Sequence, residues 1–380
     1  MGKMRRLFIC ATPFQTLNAL NIQWHDQSMK YETDIYIVNE FKDAILICTE
    51  IKRTKLFSSV YLLKPPIRNS QCVFVRSIKL AWCYLHPDSV VRQQMGEPVD
   101  RFPSNFYDVI MASVTPLFVI SICRLNPKAE FDMFDDGLGS YYGNVVVLGG
   151  GWKYKIFARI LHYKNYATTP QKLYVNNASM CKSSAAVKIE QLPPWDKDFL
   201  NFACKIFSVD LQKNQIRQRV IFLSQPFEDI DISQSFNAIM EHLSFISNDV
   251  LLRFHPREKG RKVPETMNID DGSVMWELTV AMTDMNSKIL IGYYSTAQMT
   301  PKMLFDQEPW LIFLYRIDES LFDENRKKSL DIMVGDLKTN YRDKGKIFIP
   351  ESINEFKEQL DSIVKRINAE LRMKHSSEIL

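Results

Sequence analysis

Two short motifs, far apart in the chain, contain the residue types that proton transfer requires. The first is Phe134-Asp135-Asp136-Gly137, and the second is Arg253-Phe254-His255-Pro256. A carboxylate can take a proton from a hydroxyl nucleophile, and a histidine can shield or protonate a leaving phosphate. This combination indicates group transfer from a nucleotide-activated donor.

Both motifs follow short apolar runs that are typical of buried strands. In open α/β sheets, ligands bind outside the carboxyl ends of the strands, so we expect Asp136 and His255 to form two halves of one cleft. Asp135 and Asp136 repel each other, and one of them can have a raised pKa suited to a base. Gly137 allows a turn that brings the backbone close to a ligand. The alternatives are an ordinary acidic turn and a structural histidine.

A second group of candidates suits the binding of phosphate. Tyr294-Ser295-Thr296 lies between a strand and a helix, where hydroxyls and backbone N–H groups can contact a phosphate. A plain helix cap is the alternative there. Pro256 fixes the backbone after the histidine, and Arg257 adds a positive charge suited to phosphate.

Other loop residues are further candidates for the site. Glu228 and Asp229 follow the first strand of the second half and compete with Asp136 for the role of base; the alternative is that they are solvated acids. Glu277 opens a short helix, where it is a candidate acceptor of hydrogen bonds from ribose hydroxyls or a plain capping residue. Thr12 and Gln225 come after strands and are candidates for contact with donor or acceptor.

Composition limits the class of protein. A chain of 380 residues favours two domains, and a net charge of +4 does not indicate nucleic-acid binding. The seven cysteines are scattered without zinc spacing, which favours a reducing compartment. No run of 18 apolar residues occurs. We therefore expect a cytoplasmic protein without metal or cofactor.

Strands alternate with helices along the chain, which predicts an α/β fold of two Rossmann-like domains with doubly wound parallel sheets. We predict an N-terminal, acceptor-side domain at residues 1–190, a linker region at 191–215, a nucleotide-donor domain at 216–350, and an amphipathic helix and tail at 351–380. The predicted strands lie at 7–11, 34–39, 60–63, 107–113, 131–134, 220–224, 250–254, 288–291 and 310–314. The predicted helices include 42–53, 152–163, 232–246, 276–282, 295–305 and 351–373.

These motifs together resemble the bacterial sialyltransferases of glycosyltransferase family 52, which includes lipooligosaccharide sialyltransferases. The resemblance rests on residues 134–139, on His255-Pro256-Arg257 and on Ser295-Thr296. It implies a GT-B fold with both sheets facing a central cleft. It also implies inverting, metal-independent transfer of sialic acid from CMP-N-acetylneuraminic acid to a terminal galactose of a bacterial lipooligosaccharide or capsule.

The resemblance also implies roles for individual residues. His255 would stabilise or protonate the departing phosphate of CMP, and Ser295 and Thr296 would bind that phosphate. The base would be Asp136 by one precedent in the family. By another it would be an acid after the strand that precedes the His-Pro strand, where this chain has Glu228 and Asp229.

Two rival functions remain open. One is a related transferase that uses another nucleotide sugar, such as UDP-glucose, and the other is a non-catalytic glycan-binding protein of capsule assembly. The basic N-terminus, Met1 to Arg6, and the lysine- and arginine-bearing C-terminal helix are candidates for peripheral contact with the inner face of the cytoplasmic membrane. A helix that closes the fold is the alternative. The sequence leaves open a homodimer.

Overall fold

The computed structural model divides the chain into two compact units, Met1–Val209 and Asp210–Leu380. It describes residues 2–65, 82, 85–95, 106–113, 117–142, 170–182, 187–210, 213–225, 233–255, 258, 263–270, 272–317 and 323–378. The boundary lies within the segment 191–215, which the sequence assigns to a linker region. That segment also contains a helix of the first unit, Lys197–Ile206.

The first unit contains a seven-stranded parallel sheet of order β3-β2-β1-β4-β5-β6-β7. Its strands are β1 Met4–Cys10, β2 Tyr31–Val38, β3 Ser59–Leu63, β4 Val109–Ala112, β5 Glu130–Phe134, β6 Lys172–Val175 and β7 Lys188–Gln191. The order reverses between β1 and β4. At such a reversal, loops leave the sheet in opposite directions and open a crevice at the carboxyl edge.

Six helices of the first unit lie in the described part of the chain. They are α1 Pro13–His25, α2 Ala44–Thr54, α3 Pro87–Gln94, α4 Leu117–Leu125, α5 Leu138–Tyr142 and α6 Lys197–Ile206. The rings of Trp24 in α1 and Phe202 in α6 stack with centroids 4.5 Å apart. Residues 7–10 of β1 are all buried, as expected for a parallel strand covered on both faces.

The second unit contains a six-stranded parallel sheet of order β10-β9-β8-β11-β12-β13. Its strands are β8 Val220–Leu223, β9 Val250–Arg253, β10 Asn268–Asp270, β11 Ile289–Gly292, β12 Trp310–Phe313 and β13 Ile347–Phe348. Its described helices are α7 Ser233–Ser244, α8 Trp276–Met282, α9 Thr300–Phe305, α10 Glu324–Asn340 and α11 Ile353–Glu378. Here the strand order reverses between β8 and β11.

The predicted fold class is confirmed, and all nine predicted strands are present with bounds that differ by up to three residues. The helix predicted at 295–305 is two shorter pieces, a 3₁₀ turn at Thr296–Gln298 and α9. The helix predicted at 152–163 lies outside the described residues.

The C-terminal helix α11 packs on its own unit. Its buried face consists of Phe356, Leu360, Ile363 and Ile367, spaced at helical intervals. His242 of α7 contacts this helix through its ring, 6.1 Å from that of Phe356. In the described part of the chain, no helix combines the length and apolar character needed to cross a bilayer.

Candidate functional site

The acidic turn follows β5 at the carboxyl edge of the first sheet, and its first carboxylate is fully enclosed. Asp135 is 1% exposed. One of its oxygens accepts the Gly137 backbone N–H at 2.8 Å. The other accepts the Tyr141 hydroxyl at 2.7 Å, and the backbone and side-chain N–H groups of Asn176 at 3.1 and 2.9 Å. This network holds the turn; the contact with substrate that the sequence predicts for Asp135 stays a prediction.

The second carboxylate has a different environment. Asp136 is half-buried, and its Oδ1 accepts one hydrogen bond, from Gln15 Nε2 at 2.7 Å. Burial raises the pKa of Asp136, the hydrogen bond from Gln15 opposes this shift, and the nearby Asp135 adds to it. Burial is therefore the larger cause of the raised pKa of Asp136, and repulsion by Asp135, the cause predicted from the sequence, is a smaller one. A raised pKa makes a carboxylate a stronger base.

Helix α1 supplies Gln15 because of how the helix begins. Thr12 is the N-cap, and its hydroxyl accepts the Gln15 backbone N–H at 3.1 Å, while Pro13 occupies the first turn. Gln15 Oε1 accepts the Ala11 backbone N–H at 2.7 Å. The side chain of Thr12 therefore caps the helix, and its predicted contact with a ligand stays a prediction.

Two asparagines join α1 and β6 to the acidic turn. Asn18 Nδ2 donates to the Asp135 backbone carbonyl at 3.0 Å, and Asn176 Nδ2 also lies 3.3 Å from Asn18 Oδ1. Asn176 follows β6 directly. Elements that are distant in sequence therefore meet at one point of the sheet edge.

Gly137 completes the turn because its backbone has a φ of +89°, in the left-handed region that other residues rarely adopt. The Asp136 backbone N–H donates to Ser140 Oγ at 2.9 Å, which ties the turn to α5. The predicted role of Gly137 in shaping the backbone has a clear local cause. A contact between Gly137 and a ligand stays a prediction.

His255 lies just after β9, at the carboxyl edge of the second sheet, and is half-buried. Its backbone carbonyl accepts the Glu258 N–H at 2.8 Å. Glu258 also accepts a hydrogen bond from the hydroxyl of Ser224, the residue that follows β8. Glu258 is a carboxylate beside the predicted histidine that the sequence analysis did not single out.

Trp276 connects three segments at this edge. Its indole N–H donates to the Ala297 carbonyl at 2.7 Å, and the Arg253 guanidinium lies 5.3 Å from its ring centre. Glu277 is the next residue of α8, and Ala297 follows Thr296. The indole therefore brings together the segments that contain His255, Glu277 and the Ser295-Thr296 turn.

The reversal of strand order between β8 and β11 is bridged by a hydrogen bond. The backbone N–H of Tyr294 donates to Gln225 Oε1 at 3.1 Å. Ser295 is the N-cap of the 3₁₀ turn, and its hydroxyl accepts the Ala297 N–H at 3.3 Å. Glycine suits position 292, because a Cβ there would lie 2.8 Å from Gln298 Oε1 and 3.0 Å from the Leu223 carbonyl oxygen, so these neighbours would have to shift. Gln225 and Ser295 therefore lie at the same switch point.

The structure thus brings together Asp135, Asp136, Gly137 and Thr12 in the first unit, and His255, Gln225, Glu277 and Tyr294-Ser295-Thr296 in the second. The predicted residues Glu228, Asp229, Pro256 and Arg257 lie outside the described residues. Sequence reasoning missed the residues that hold these groups in place. They are Gln15, Asn18, Ser140, Tyr141, Asn176, Glu258 and Trp276.

Solved structures share this architecture. The kitacinnamycin glycotransferase matches with a TM-score of 0.54 and 6% identity, over 97% of this chain and 96% of its own. UDP-GlcNAc 2-epimerases from Methanocaldococcus jannaschii and from Neisseria meningitidis, the latter bound to UDP-GlcNAc, each match with a TM-score of 0.51. Their identities are 14% and 12%, and each comparison covers 95% of this chain and 92% of the other. With two parallel α/β sheets, the chain has the GT-B fold.

No protein-family model matches the sequence, and no curated protein is similar to it at a significant level. The resemblance to family 52 therefore stays a prediction from motifs. At these identities the structural likeness establishes the fold, and the chemistry must be argued from the residues of this chain.

Proposed function

We propose that this protein is a glycosyltransferase that moves a sugar from a nucleotide-activated donor to a hydroxyl group of an acceptor glycan. The observation that most supports this proposal is the environment of the Asp136 carboxylate. Its carboxylate is half-buried at the carboxyl edge of β5, has a raised pKa and accepts a hydrogen bond from a neutral amide. These properties suit a general base.

In the proposed reaction, the acceptor hydroxyl attacks the anomeric carbon of the donor sugar while Asp136 takes the hydroxyl proton. The bond between the anomeric carbon and the donor phosphate oxygen breaks, and the nucleotide leaves with the electron pair. A single displacement of this kind inverts the configuration at the anomeric carbon. His255 protonates or stabilises the departing phosphate, and Ser295 and Thr296 bind it.

For the donor we propose CMP-N-acetylneuraminic acid, and for the acceptor a galactose-terminated lipooligosaccharide or capsule glycan. This choice rests on the motifs around Asp136, His255 and Ser295, which resemble those of family 52. UDP-glucose is the alternative donor on the same scaffold. The proposal also expects no metal requirement, which a chelator tests.

Direct measurement of donor use tests the proposal. The purified full-length protein is incubated with lactose and, separately, with CMP-N-acetylneuraminic acid, UDP-glucose or UDP-GlcNAc, and products are followed by mass spectrometry and by release of the nucleotide. We expect sialylated lactose and CMP from the first donor only, with the same rate after addition of EDTA. Formation of glucosylated lactose from UDP-glucose would show that the proposed donor is wrong and that the protein is still a glycosyltransferase.

A control variant excludes activity from a contaminant. His255→Ala is purified in the same way and should release CMP much more slowly than the wild-type protein, because it loses the group that protonates or stabilises the phosphate. Conversion of UDP-GlcNAc to its 2-epimer without transfer to lactose would contradict the proposed function, since that reaction joins no sugar to an acceptor.

A further inference from the structure

Gln15 contacts the reactive carboxylate with its side-chain amide, in an arrangement that permits only one orientation of the amide. Gln15 is 1% exposed, its Oε1 accepts the Ala11 backbone N–H at 2.7 Å, and its Nε2 donates to Asp136 Oδ1 at 2.7 Å. A flipped amide would place two donors against each other at Ala11 and two acceptors against each other at Asp136. The backbone N–H of Ala11, the residue that follows β1, therefore determines that Gln15 presents its N–H group to Asp136.

We propose that Gln15 is the positioning residue of the base: it directs one oxygen of Asp136 into the protein and keeps the carboxylate available for the acceptor's proton. This inference rests on the proposed function, in which Asp136 is the base. Gln15 does not touch the reacting atoms in this account. It acts through Asp136.

The contrast with Asp135 shows why a single neutral donor suits a base. Asp135 accepts hydrogen bonds from Gly137, Tyr141 and twice from Asn176, so its oxygens are committed to the turn. Among the described residues Asp136 accepts one bond, from Gln15, which orients the carboxylate and carries no positive charge that would suppress its basicity. A lysine or arginine in place of Gln15 would hold Asp136 as a weak base.

Few titratable groups face Asp136 in the described part of the chain. They are Asp135 on the same turn and the Cys10 thiol at the end of β1, whose pKa is raised chiefly by burial. Thr12, Gln15 and Asn18 of the adjoining helix segment do not titrate, so in the wild-type protein Asp135 and Cys10 are the ionisable groups whose influence a change at position 15 must be compared with.

The test replaces the hydrogen-bond donor at position 15 by a carboxyl group and measures the titration of Asp136 directly. Gln15→Glu keeps an oxygen for the Ala11 N–H but presents a carboxyl group to Asp136 Oδ1. The protein is labelled with ¹³C at aspartate side-chain carboxyls only, so that the new glutamate is silent, and the Asp136 signal is assigned by its loss in Asp136→Asn. We expect its titration midpoint to rise by about one pH unit or more, because a like charge disfavours the ionised form.

A matched control makes the same chemical change elsewhere on α1. Asn21 Nδ2 donates to the Pro193 carbonyl at 2.7 Å, so Asn21→Asp also replaces a buried amide donor by a carboxyl group. This control should lower thermal stability and leave the Asp136 midpoint unchanged. Should Gln15→Glu fold poorly, Gln15→Met keeps the volume, removes the donor and is expected to raise the midpoint as well.

The outcomes separate the inference from the proposed function. An unchanged Asp136 midpoint in both position-15 variants overturns the positioning role, whatever the activity. A raised midpoint, with the acid limb of the transfer rate displaced by the same amount, supports it. A raised midpoint in a protein that transfers no sugar supports the control of Asp136 by Gln15 and overturns the proposed function.

Discussion

The carboxyl edges of the two sheets are built in different ways. In the first unit, side-chain amides and hydroxyls surround two buried or half-buried carboxylates, and burial raises the pKa of both. In the second unit, two hydrogen bonds hold the edge together: Trp276 donates to a backbone carbonyl, and Gln225 accepts a backbone N–H. The hydroxyls of Ser295 and Thr296 lie at the switch point.

Under the proposed function, this difference corresponds to a division of labour between the units. A dense polar network with perturbed carboxylates is suited to moving a proton. An edge with hydroxyls, a histidine and backbone groups is suited to binding a phosphate. Within the first unit the same division recurs on a smaller scale, because Asp135 is enclosed by four donors and Asp136 by one.

The largest expected effect comes from Asp136→Asn. An amide cannot accept the acceptor's proton, so turnover should fall by about 10³ to 10⁴, the upper part of the range for general-base catalysis. The free energy of unfolding should be unchanged or higher, because a half-buried charge is removed. Initial rates and thermal unfolding measure the two quantities. Wild-type turnover in this variant would contradict the proposal that Asp136 is the base.

A smaller loss of activity is expected for His255→Ala in the second unit. The phosphate loses its partner while the hydroxyl groups of Ser295 and Thr296 remain, so turnover should fall by about 10². Steady-state kinetics of the wild-type protein and the variant, measured with the natural donor and with a donor that has a good leaving group, tests this prediction. If His255 protonates the phosphate, a donor whose leaving group needs no protonation should lose much less activity in this variant, whereas an equal loss with both donors would indicate that His255 stabilises the phosphate charge. Wild-type turnover with both donors would contradict a role at the phosphate.

Asp135→Asn should affect stability more than chemistry. The amide nitrogen would face at least one of the N–H donors that the carboxylate now accepts, which leaves buried donors unpaired. We expect a loss of about 1.5 to 3 kcal/mol in the free energy of unfolding, measured with urea. Asp43→Asn is the control. Asp43 is exposed, its side chain caps no N–H group, and asparagine tolerates its positive φ, so little change is expected.

The smallest effect is expected at Trp276. Trp276→Phe removes the hydrogen bond to the Ala297 carbonyl, which should cost about 0.5 to 1.5 kcal/mol and raise KM for the donor more than it lowers kcat. Trp24→Phe in the first unit, where the indole stacks on Phe202, should leave the donor KM unchanged. If the two variants had the same donor KM, Trp276 would not organise the second edge.

The central strands could be predicted from sequence because they are continuous apolar runs that are buried on both faces. Four strands were missed. β7 Lys188–Gln191, β10 Asn268–Asp270 and β13 Ile347–Phe348 lie at sheet edges and are short or polar, and β6 Lys172–Val175, beside β7, has four residues of which only two are buried. Helix α10 was also missed, although Leu330, Met333, Val334 and Leu337 have helical spacing and are buried. Asp331, Gly335 and Asp336 between them, with lysines on either side, obscure that pattern.

The placement of Asp136 and His255 at strand ends was predictable, because each follows a short apolar run, whereas their roles stay predictions. The supporting residues were harder to find, because Asn18 and Asn176 act through contacts between segments 158 residues apart. Gln15 did carry a local signal. Thr12 and Gln15 have the spacing of a capping box, which predicts that the glutamine side chain turns back toward the helix start. Its contact with Asp136, 121 residues away, required the structure.

The pH dependence of sugar transfer tests the central claim most directly. A base must be ionised, and burial raises the pKa of Asp136, so the rate should fall as the pH drops through that raised value, above the ordinary aspartate value of about 3.9. We predict this acid limb in kcat/KM of the wild-type protein and its absence from the residual rate of Asp136→Asn. An Asp136→Asn protein that keeps both the wild-type rate and the acid limb would contradict the account.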